Sequence, residues 1–205
     1  MSEPYKTWET RTKTNLLVRV SLFYNEYVDK PWKLYDGHGI VSEWTSRDKR
    51  AGELILYKNR GQYLYYDLQE TMKMARQEGW GISREDSAGK TEGQIAYEAV
   101  MRDFKYLRDW CNQEWWFCGV AATVIEDWMG NDVSDMDISG SLWGIEDGYG
   151  EYGRNAESYI KEVADDLARE AEYNYLEQTG ELWRLHFVDT LEKIDAKEQS
   201  DGCLV

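Results

Sequence analysis

Apolar and polar residues alternate in several segments of the first half of the chain. In TNLLVRVSLFY (14–24), every second residue from Leu16 to Leu22 is apolar, so one face of an extended segment would be buried. The segment ELILYK (53–58) has a strand-forming composition, and NRG separates it from QYLYY (62–66). These patterns predict a strand over 14–24 and a hairpin made of the segments 53–58 and 62–66.

Four later segments are predicted to form helices. Apolar residues recur every three to four positions in the first three of them, and Gly180 separates the third from the last. Asp67 can cap the first helix, Glu70 follows in capping-box register, and Gly79 can end the helix. The predicted helices span about 67–79, 91–112, 155–180 and 181–196.

The segment EWWFCGVAATVIEDW (114–128) is rich in β-branched and aromatic residues, which predicts a central strand. ISGSLWGIE (138–146) can pair with it in antiparallel fashion across the turn residues GNDVSD. Because strands and helices come in blocks, we predict an α+β fold in which an antiparallel sheet packs against three to four helices in a single domain. That domain is assigned to residues 1–170, and residues 171–205 are assigned to a C-terminal helical extension and polar tail.

The composition places much of the packing on large aromatic side chains. The 205 residues include ten Trp and fifteen Tyr but only four Phe, so many packed rings would carry a polar group.

The three cysteines, Cys111, Cys118 and Cys203, match no zinc or redox spacing. The longest apolar stretch, 115–125, is too short to span a bilayer, and no apolar leader follows the first residues. We therefore expect a reduced, cytoplasmic protein with no membrane partner.

Charge is distributed unevenly along the chain. The net charge is −15, with residues 1–60 contributing +3 and residues 61–205 contributing −18. Between residues 126 and 153 there are eight carboxylates and no Lys or Arg. Such a segment repels nucleic-acid phosphates and attracts basic grooves. Direct nucleic-acid binding is therefore disfavoured, and a protein partner with a basic surface is favoured.

The segment DMDISGSLWGIE (135–146) has the spacing of a calcium-binding loop. Asp135, Asp137 and Ser139 stand at alternate positions, and Glu146 is the twelfth residue. Such a loop requires a helix on each side, whereas a strand-like segment precedes this one and glycines follow it. The hairpin interpretation accounts better for the pattern, so neither a metal ion nor a cofactor is predicted.

The segment DGHGIVSEWTSRDKR (36–50) raises the question of catalysis, because His38 lies between two glycines and close to Asp36. These two side chains could serve as general acid and base, and the charged residues that follow could bind an anionic substrate. The alternative is a tight turn whose glycines supply positive φ angles while the charges are solvated. Because no nucleophile motif, phosphate loop or pair of His ligands accompanies the segment, the turn interpretation is preferred.

Several blocks of the sequence resemble a set of uncharacterised accessory proteins of tailed bacteriophages and mobile elements. The blocks are DGHGIVSEWTSRDKR, YYDLQETMKMARQEGWG, LRDWCNQEWWFCGV and SLWGIE, and the resemblance covers about residues 16–170. It implies a phage-encoded protein made in the cytoplasm of a bacterial host. It assigns neither an activity nor a functional residue, and it does not extend to residues 171–205.

These observations favour a phage-encoded acidic protein that inhibits a host defence or nucleic-acid-processing protein. Its carboxylates would act as a nucleic-acid mimic in a basic groove, and nearby aromatic side chains would anchor the interface. Two alternatives stay open: a small phage enzyme that uses Asp36 and His38, and a virion or assembly protein, which could form a homo-oligomer. The partner-binding residues predicted for the inhibitor are Asp132, Asp135, Asp137, Glu146, Asp147, Glu151, Trp128, Tyr149 and Tyr152.

Overall fold

The structure is a computed structural model that describes residues 3–83, 88–148 and 156–201, with the side chains of the last helix as far as residue 193. In chain order its elements are β1 (Lys6–Arg11), β2 (Leu17–Tyr24), α1 (Pro31–Leu34), β3 (Val41–Trp44), β4 (Glu53–Asn59), β5 (Gln62–Asp67), α2 (Leu68–Glu78), α3 (Glu92–Cys111), β6 (Trp115–Glu126), β7 (Ser139–Gly148), α4 (Ala156–Thr179) and α5 (Trp183–Asp201).

The chain forms two compact units. Unit 1 comprises Met1–Glu26, Phe117–Asp147 and Asn155–Val205, and unit 2 comprises Tyr27–Trp116 and Gly148–Arg154. The α+β class and the antiparallel pairing are confirmed, with the strands divided between two sheets rather than gathered in one. The predicted division at residue 170 falls inside the continuous helix α4.

Unit 1 contains a four-stranded sheet in the order β1-β2-β6-β7. In β2, Val18, Val20 and Leu22 point to one side and are buried, as the alternation predicted. The helix α4 packs against β2 and buries apolar residues at helical spacing, among them Val163 and Leu167. The predicted central strand is confirmed as β6, which lies between β2 and β7.

Unit 2 contains a three-stranded sheet in the order β3-β5-β4. The predicted hairpin is confirmed, since β4 and β5 pair in antiparallel fashion up to Asn59 and Gln62. The helices α2 and α3 pack against each other and against β4. Their shared core includes Tyr66, Val100 and Leu107, all fully buried.

Side-chain caps fix the helix ends that the sequence predicted. Oδ1 of Asp67 accepts a hydrogen bond from the backbone N–H of Glu70 at 3.0 Å, and Gly79 ends α2 in the left-handed conformation with φ 70°. The full reciprocal capping box occurs at α3, where Thr91 and Gln94 bind each other's backbone and side chain.

Two strands of the structure were not predicted. β1 is an edge strand whose exposed residues are mostly polar, and β3 has only four residues inside the segment interpreted as a turn. Neither shows the alternation that marks a half-buried strand. In the part of the chain that the structure describes, no helix has the length and apolar character required to cross a membrane.

Candidate functional site

The turn between β6 and β7 is organised by one buried carboxylate. Asp127 accepts hydrogen bonds from the backbone N–H groups of Met129 and Asn131, both at 2.8 Å, and from the Asn131 amide at 2.7 Å. Burial opposes ionisation of Asp127, but these hydrogen bonds outweigh it and lower the pKa of the side chain. Asp127 therefore shapes the turn rather than offering a free charge.

Three of the predicted partner-binding carboxylates lie exposed on this turn. Oδ1 of Asp132 accepts hydrogen bonds from the Ser134 hydroxyl at 2.7 Å and from its backbone N–H at 2.9 Å, and these bonds lower the pKa of Asp132. Asp135 lies in a single 3₁₀ turn, and Asp137 follows it with φ 51°. All three carboxylates are accessible to solvent.

The other predicted residues do not join these three. Glu146 and Asp147 lie at the far end of β7, which places Asp147 roughly 30 Å from Asp137 at the rise of an extended strand. Both are half-buried, and the Tyr5 hydroxyl donates a hydrogen bond to Asp147 at 2.5 Å. The predicted set is therefore split between the two ends of one strand.

Trp128 is half-buried, because the guanidinium of Arg184 covers its ring at 3.6 Å from the centroid. This cation–π contact ties the turn region to α5. Trp128 therefore packs inside unit 1 rather than standing free as an anchor. The predicted residues Tyr149, Glu151 and Tyr152 lie outside the described residues.

The solvent face of α4 carries acidic residues that sequence reasoning missed. Glu162, Asp166 and Glu170 follow one another at intervals of four, so they lie along one side of the helix. We call these three carboxylates the acidic stripe of α4. Tyr159 and Tyr173 are half exposed, at 51% and 47%, and they lie near the two ends of the stripe. The exposed charged residues of this face are Glu157, Lys161, Glu162, Asp165, Asp166, Arg169, Glu170 and Glu177.

The acidic stripe of α4 adjoins the β6–β7 turn. A Cβ atom built on Gly140, the second residue of β7, would lie 3.3 Å from Oε2 of Glu170 and 3.2 Å from the Leu167 side chain. The helix thus passes directly over the start of β7, three residues after Asp137. We call six exposed carboxylates of the turn and the helix the acidic surface: Asp132, Asp135, Asp137, Glu162, Asp166 and Glu170. Of these, Asp166 forms an ion pair with Arg169 on the same helix.

The two units differ sharply in charge. Unit 1 has nine Lys and Arg against 23 Asp and Glu, a net charge of −14, whereas unit 2 has 15 against 16, a net charge of −1. Almost the whole net charge of the protein therefore belongs to the unit that carries the acidic surface.

His38 is held by Asp103 on α3, not by Asp36. Nδ1 of His38 lies 2.6 Å from Oδ1 of Asp103, and Oδ2 accepts hydrogen bonds from the Gly39 N–H and the Tyr66 hydroxyl, both at 2.8 Å. The side chains of His38 and Asp103 are only 15% and 10% exposed. Asp36 is exposed and takes no part in this network, so the predicted acid–base pair is not formed.

The surroundings of His38 indicate a structural role. Its ring stacks on Tyr106 of α3, with 5.4 Å between centroids and 13° between planes. Burial raises the pKa of Tyr66, helped by the neighbouring Asp103 carboxylate, so the Tyr66 hydroxyl keeps its proton and continues to donate. These contacts fasten the segment before β3 to α3 and β5.

Unit 2 also contains an open cleft of about 630 Å³. Its walls come from the β4–β5 hairpin, the C-terminal end of α3 and the first residues of β6, and they include Trp110, Trp115 and Trp116. His38 and Asp36 are not among the residues that line it. The two side chains that were considered for catalysis therefore lie outside the cleft.

The calcium-loop spacing of residues 135–146 has a different structural basis. Residues from Ser139 onward lie in the extended strand β7, so the hairpin interpretation is confirmed. Among the described residues, no three His, Cys, Asp or Glu side chains come together as a potential metal site.

The chain shows no match to known proteins in three comparisons. No family model matches it, and no curated protein or solved structure matches it significantly.

Proposed function

We propose that this protein is a phage-encoded acidic protein that binds the basic surface of a host bacterial protein and thereby inhibits it. The observation that carries the proposal is the concentration of charge in unit 1, whose net charge is −14 against −1 for unit 2. The phage origin rests on the sequence blocks that resemble phage accessory proteins. The target class, a defence or nucleic-acid-processing protein, follows from the attraction of carboxylates to grooves that bind phosphates.

The contact region in this proposal is the acidic surface, which differs in part from the set that the sequence predicted. Asp132, Asp135 and Asp137 are common to both. The stripe on α4 replaces Glu146 and Asp147, because those two side chains are half-buried at the distant end of β7. Tyr159 and Tyr173 would supply the aromatic contacts, since both rings are half exposed beside the stripe.

The charge density of α4 limits how closely it can mimic a nucleic acid. Six exposed carboxylates between Glu157 and Glu177 are spread over about 30 Å of helix. Lys161 and Arg169 lie on the same face, so the net charge is −4, roughly one per 7 to 8 Å, against one phosphate per about 3.4 Å along a DNA strand. The helix would reproduce the sign of the backbone charge and about half of its density, so the turn carboxylates are needed as well.

The proposal is tested by capturing host proteins on the tagged full-length protein. The acidic-surface variant carries Asp135→Asn, Asp137→Asn, Asp166→Asn and Glu170→Gln. A control variant has the same net charge but neutralises exposed carboxylates of unit 2, through Asp29→Asn, Asp36→Asn, Asp48→Asn and Glu114→Gln. Because the net charges are equal, a difference between the variants reports the position of the charges.

We expect a host protein with a nucleic-acid-binding groove to be retained by the parent and by the control variant. The acidic-surface variant should lose it, and raising the salt from about 0.05 M to about 0.5 M should release it, because charge contacts are screened. The partner's own activity on DNA or RNA should fall when the parent protein is added. Equal retention by both variants, or binding unchanged by salt, would contradict the proposal.

A further inference from the structure

The cleft of unit 2 has the size and the walls of a site for a planar organic ligand. Its volume of about 630 Å³ falls within the range of roughly 300 to 1,000 Å³ that is usual for small-molecule sites. Four aromatic side chains line it: Tyr57, Trp110, Trp115 and Trp116. Aromatic side chains in an open cleft hold flat rings by stacking, largely regardless of the identity of the ring.

Two of these aromatic walls are fixed before any ligand arrives. Trp115 is buried, its indole N–H donates to the carbonyl of Tyr106 at 2.9 Å, and its ring packs on that of Tyr106 with centroids 4.4 Å apart. Trp110 is contacted edge-on by Trp32, with centroids 5.5 Å apart. Because these rings are already ordered, ligand binding would not have to immobilise them.

The polar part of the lining consists of amide side chains. Gln62, Asn112 and Gln113 line the cleft and are exposed to solvent. Asn112 ends α3, and Gln113 follows with φ 60°, a left-handed conformation that is uncommon for a residue other than glycine. A carboxamide both donates and accepts hydrogen bonds, which matches the edge of a nucleobase, where donors and acceptors lie side by side.

The cleft offers one cation to an anionic ligand, and that cation is ion-paired with Glu43. Lys30 is the one charged side chain among the described residues that line it, and no carboxylate faces the ligand space directly. Nζ of Lys30 lies 2.5 Å from Oε2 of Glu43, so the ammonium group is held in place and a phosphate could exchange with Glu43. Burial raises the pKa of the Cys111 thiol in the wall to about 12, so the cleft offers no thiolate and its role is binding.

We propose that this cleft binds a nucleoside monophosphate, with the base stacked against the half-buried rings of Trp110 and Trp116, its edge on the amide side chains and the phosphate on Lys30. This site lies in unit 2, so it is independent of the acidic surface and of the function proposed for it.

The test measures binding of AMP to the full-length protein by calorimetry and by quenching of tryptophan fluorescence. Adenosine, ribose 5-phosphate and maltose serve as comparison ligands. We expect AMP to bind, adenosine to bind about tenfold more weakly, and the other two not to bind. Lys30→Ala should weaken AMP binding about tenfold and leave adenosine unchanged, because only the phosphate contact is lost.

Lys33→Ala is the matched control, since it removes the same charge from α1 at an exposed position that does not line the cleft. It should leave AMP binding unchanged. Gln62→Ala and Asn112→Ala change exposed side chains, so they should weaken both AMP and adenosine without unfolding the protein. The proposal is overturned if AMP and adenosine give no signal, if ribose 5-phosphate binds as tightly as AMP, or if maltose binds and AMP does not.

Discussion

Nδ1 of His38 lies 2.6 Å from Oδ1 of Asp103, although the two residues are 65 positions apart in the sequence. The other oxygen of the same carboxylate accepts hydrogen bonds from the Gly39 backbone and from the Tyr66 hydroxyl. A single side chain of α3 thus holds the segment before β3 and the strand β5. This carboxylate therefore helps to position the β3 edge of unit 2, together with the pairing of β3 with β5 and the hydrogen bond from the Ile40 N–H to the Thr71 hydroxyl.

Asp103→Ala should lower the free energy of unfolding by about 3 kcal/mol, because it leaves three buried or half-buried polar groups without their partner. Urea denaturation followed by circular dichroism measures this change. Asp36→Ala is the control, since Asp36 is exposed on the same loop, and it should change stability by no more than about 0.5 kcal/mol. Equal effects of the two substitutions would refute the structural role of the network.

The Arg47–Glu53 pair should make unit 2 sensitive to acid. Nη2 and Nη1 of Arg47 lie 2.8 and 2.9 Å from the two carboxylate oxygens of Glu53, which is 7% exposed. The hydrogen bonds from Arg47, aided by the Arg50 N–H, hold the pKa of Glu53 below its ordinary value despite burial.

Because the folded pKa of Glu53 lies below the unfolded one, the carboxylate stabilises the protein fully above about pH 4.3, the ordinary value. That contribution is lost as the pH falls through the lower folded value. Glu53→Gln should therefore be less stable than the parent at pH 7, and the difference should shrink towards pH 3. Urea midpoints measured across this range test the expectation, and a difference independent of pH would contradict it.

Two of the three cysteines should resist modification in the folded protein. Burial raises the pKa of Cys111 to about 12 and that of Cys118 to about 11, so almost no thiolate is present at pH 8. Cys203 lies outside the described residues. With Ellman's reagent at pH 8, at most one thiol should react quickly in buffer, and all three should react in concentrated urea. Rapid reaction of two thiols in the folded protein would contradict these positions.

Glu172 anchors the segment before β2 to α4. It is only 3% exposed, and its Oε1 accepts hydrogen bonds from the Thr14 hydroxyl at 2.6 Å and the Thr14 N–H at 2.9 Å. Glu172→Ala should cost about 2 to 3 kcal/mol, because both donors lose their acceptor. Glu172→Gln retains an acceptor oxygen and should recover most of this loss in a thermal or urea melt. If Gln is as damaging as Ala, the hydrogen bonds to Thr14 are not the cause.

Local patterns in the sequence were sufficient to predict the longer helices and most of the strands, because the causes of those elements are local. The alternation around Val20 and the helix cap at Asp67 each depend on residues only a few positions away in the sequence. The structure confirms both the strand and the cap. β1 escaped prediction because an edge strand buries little, so its polar residues leave no alternating pattern.

The candidate sites depend on contacts between residues that are distant in the sequence, and such contacts cannot be predicted from residue spacing. Asp103 meets His38 only because α3 packs beside β5, whereas the nearer Asp36 faces solvent. Among the carboxylates of the segment 126–153 that the structure describes, those up to Asp137 precede β7, whereas Glu146 and Asp147 lie near its end. The helical interval of Glu162, Asp166 and Glu170 was visible in the sequence, but the proximity of Glu170 to Gly140 was not.

The pairing of β2 with β6 also sets the order in which the protein can fold. Tyr24 pairs with Cys118, and the N–H of Asn25 donates to the carbonyl of Phe117, so the chain leaves and re-enters unit 1 at adjacent points. During synthesis at about 5 to 20 residues per second, β2 emerges roughly 5 to 20 s before the strand that covers its inner edge. Most of unit 2 is synthesised in that interval, while Val18, Val20 and Leu22 still lack β6 and α4. Until β6 and α4 are made, the nascent chain therefore exposes the apolar face of β2, and the acidic unit 1 completes its contacts last.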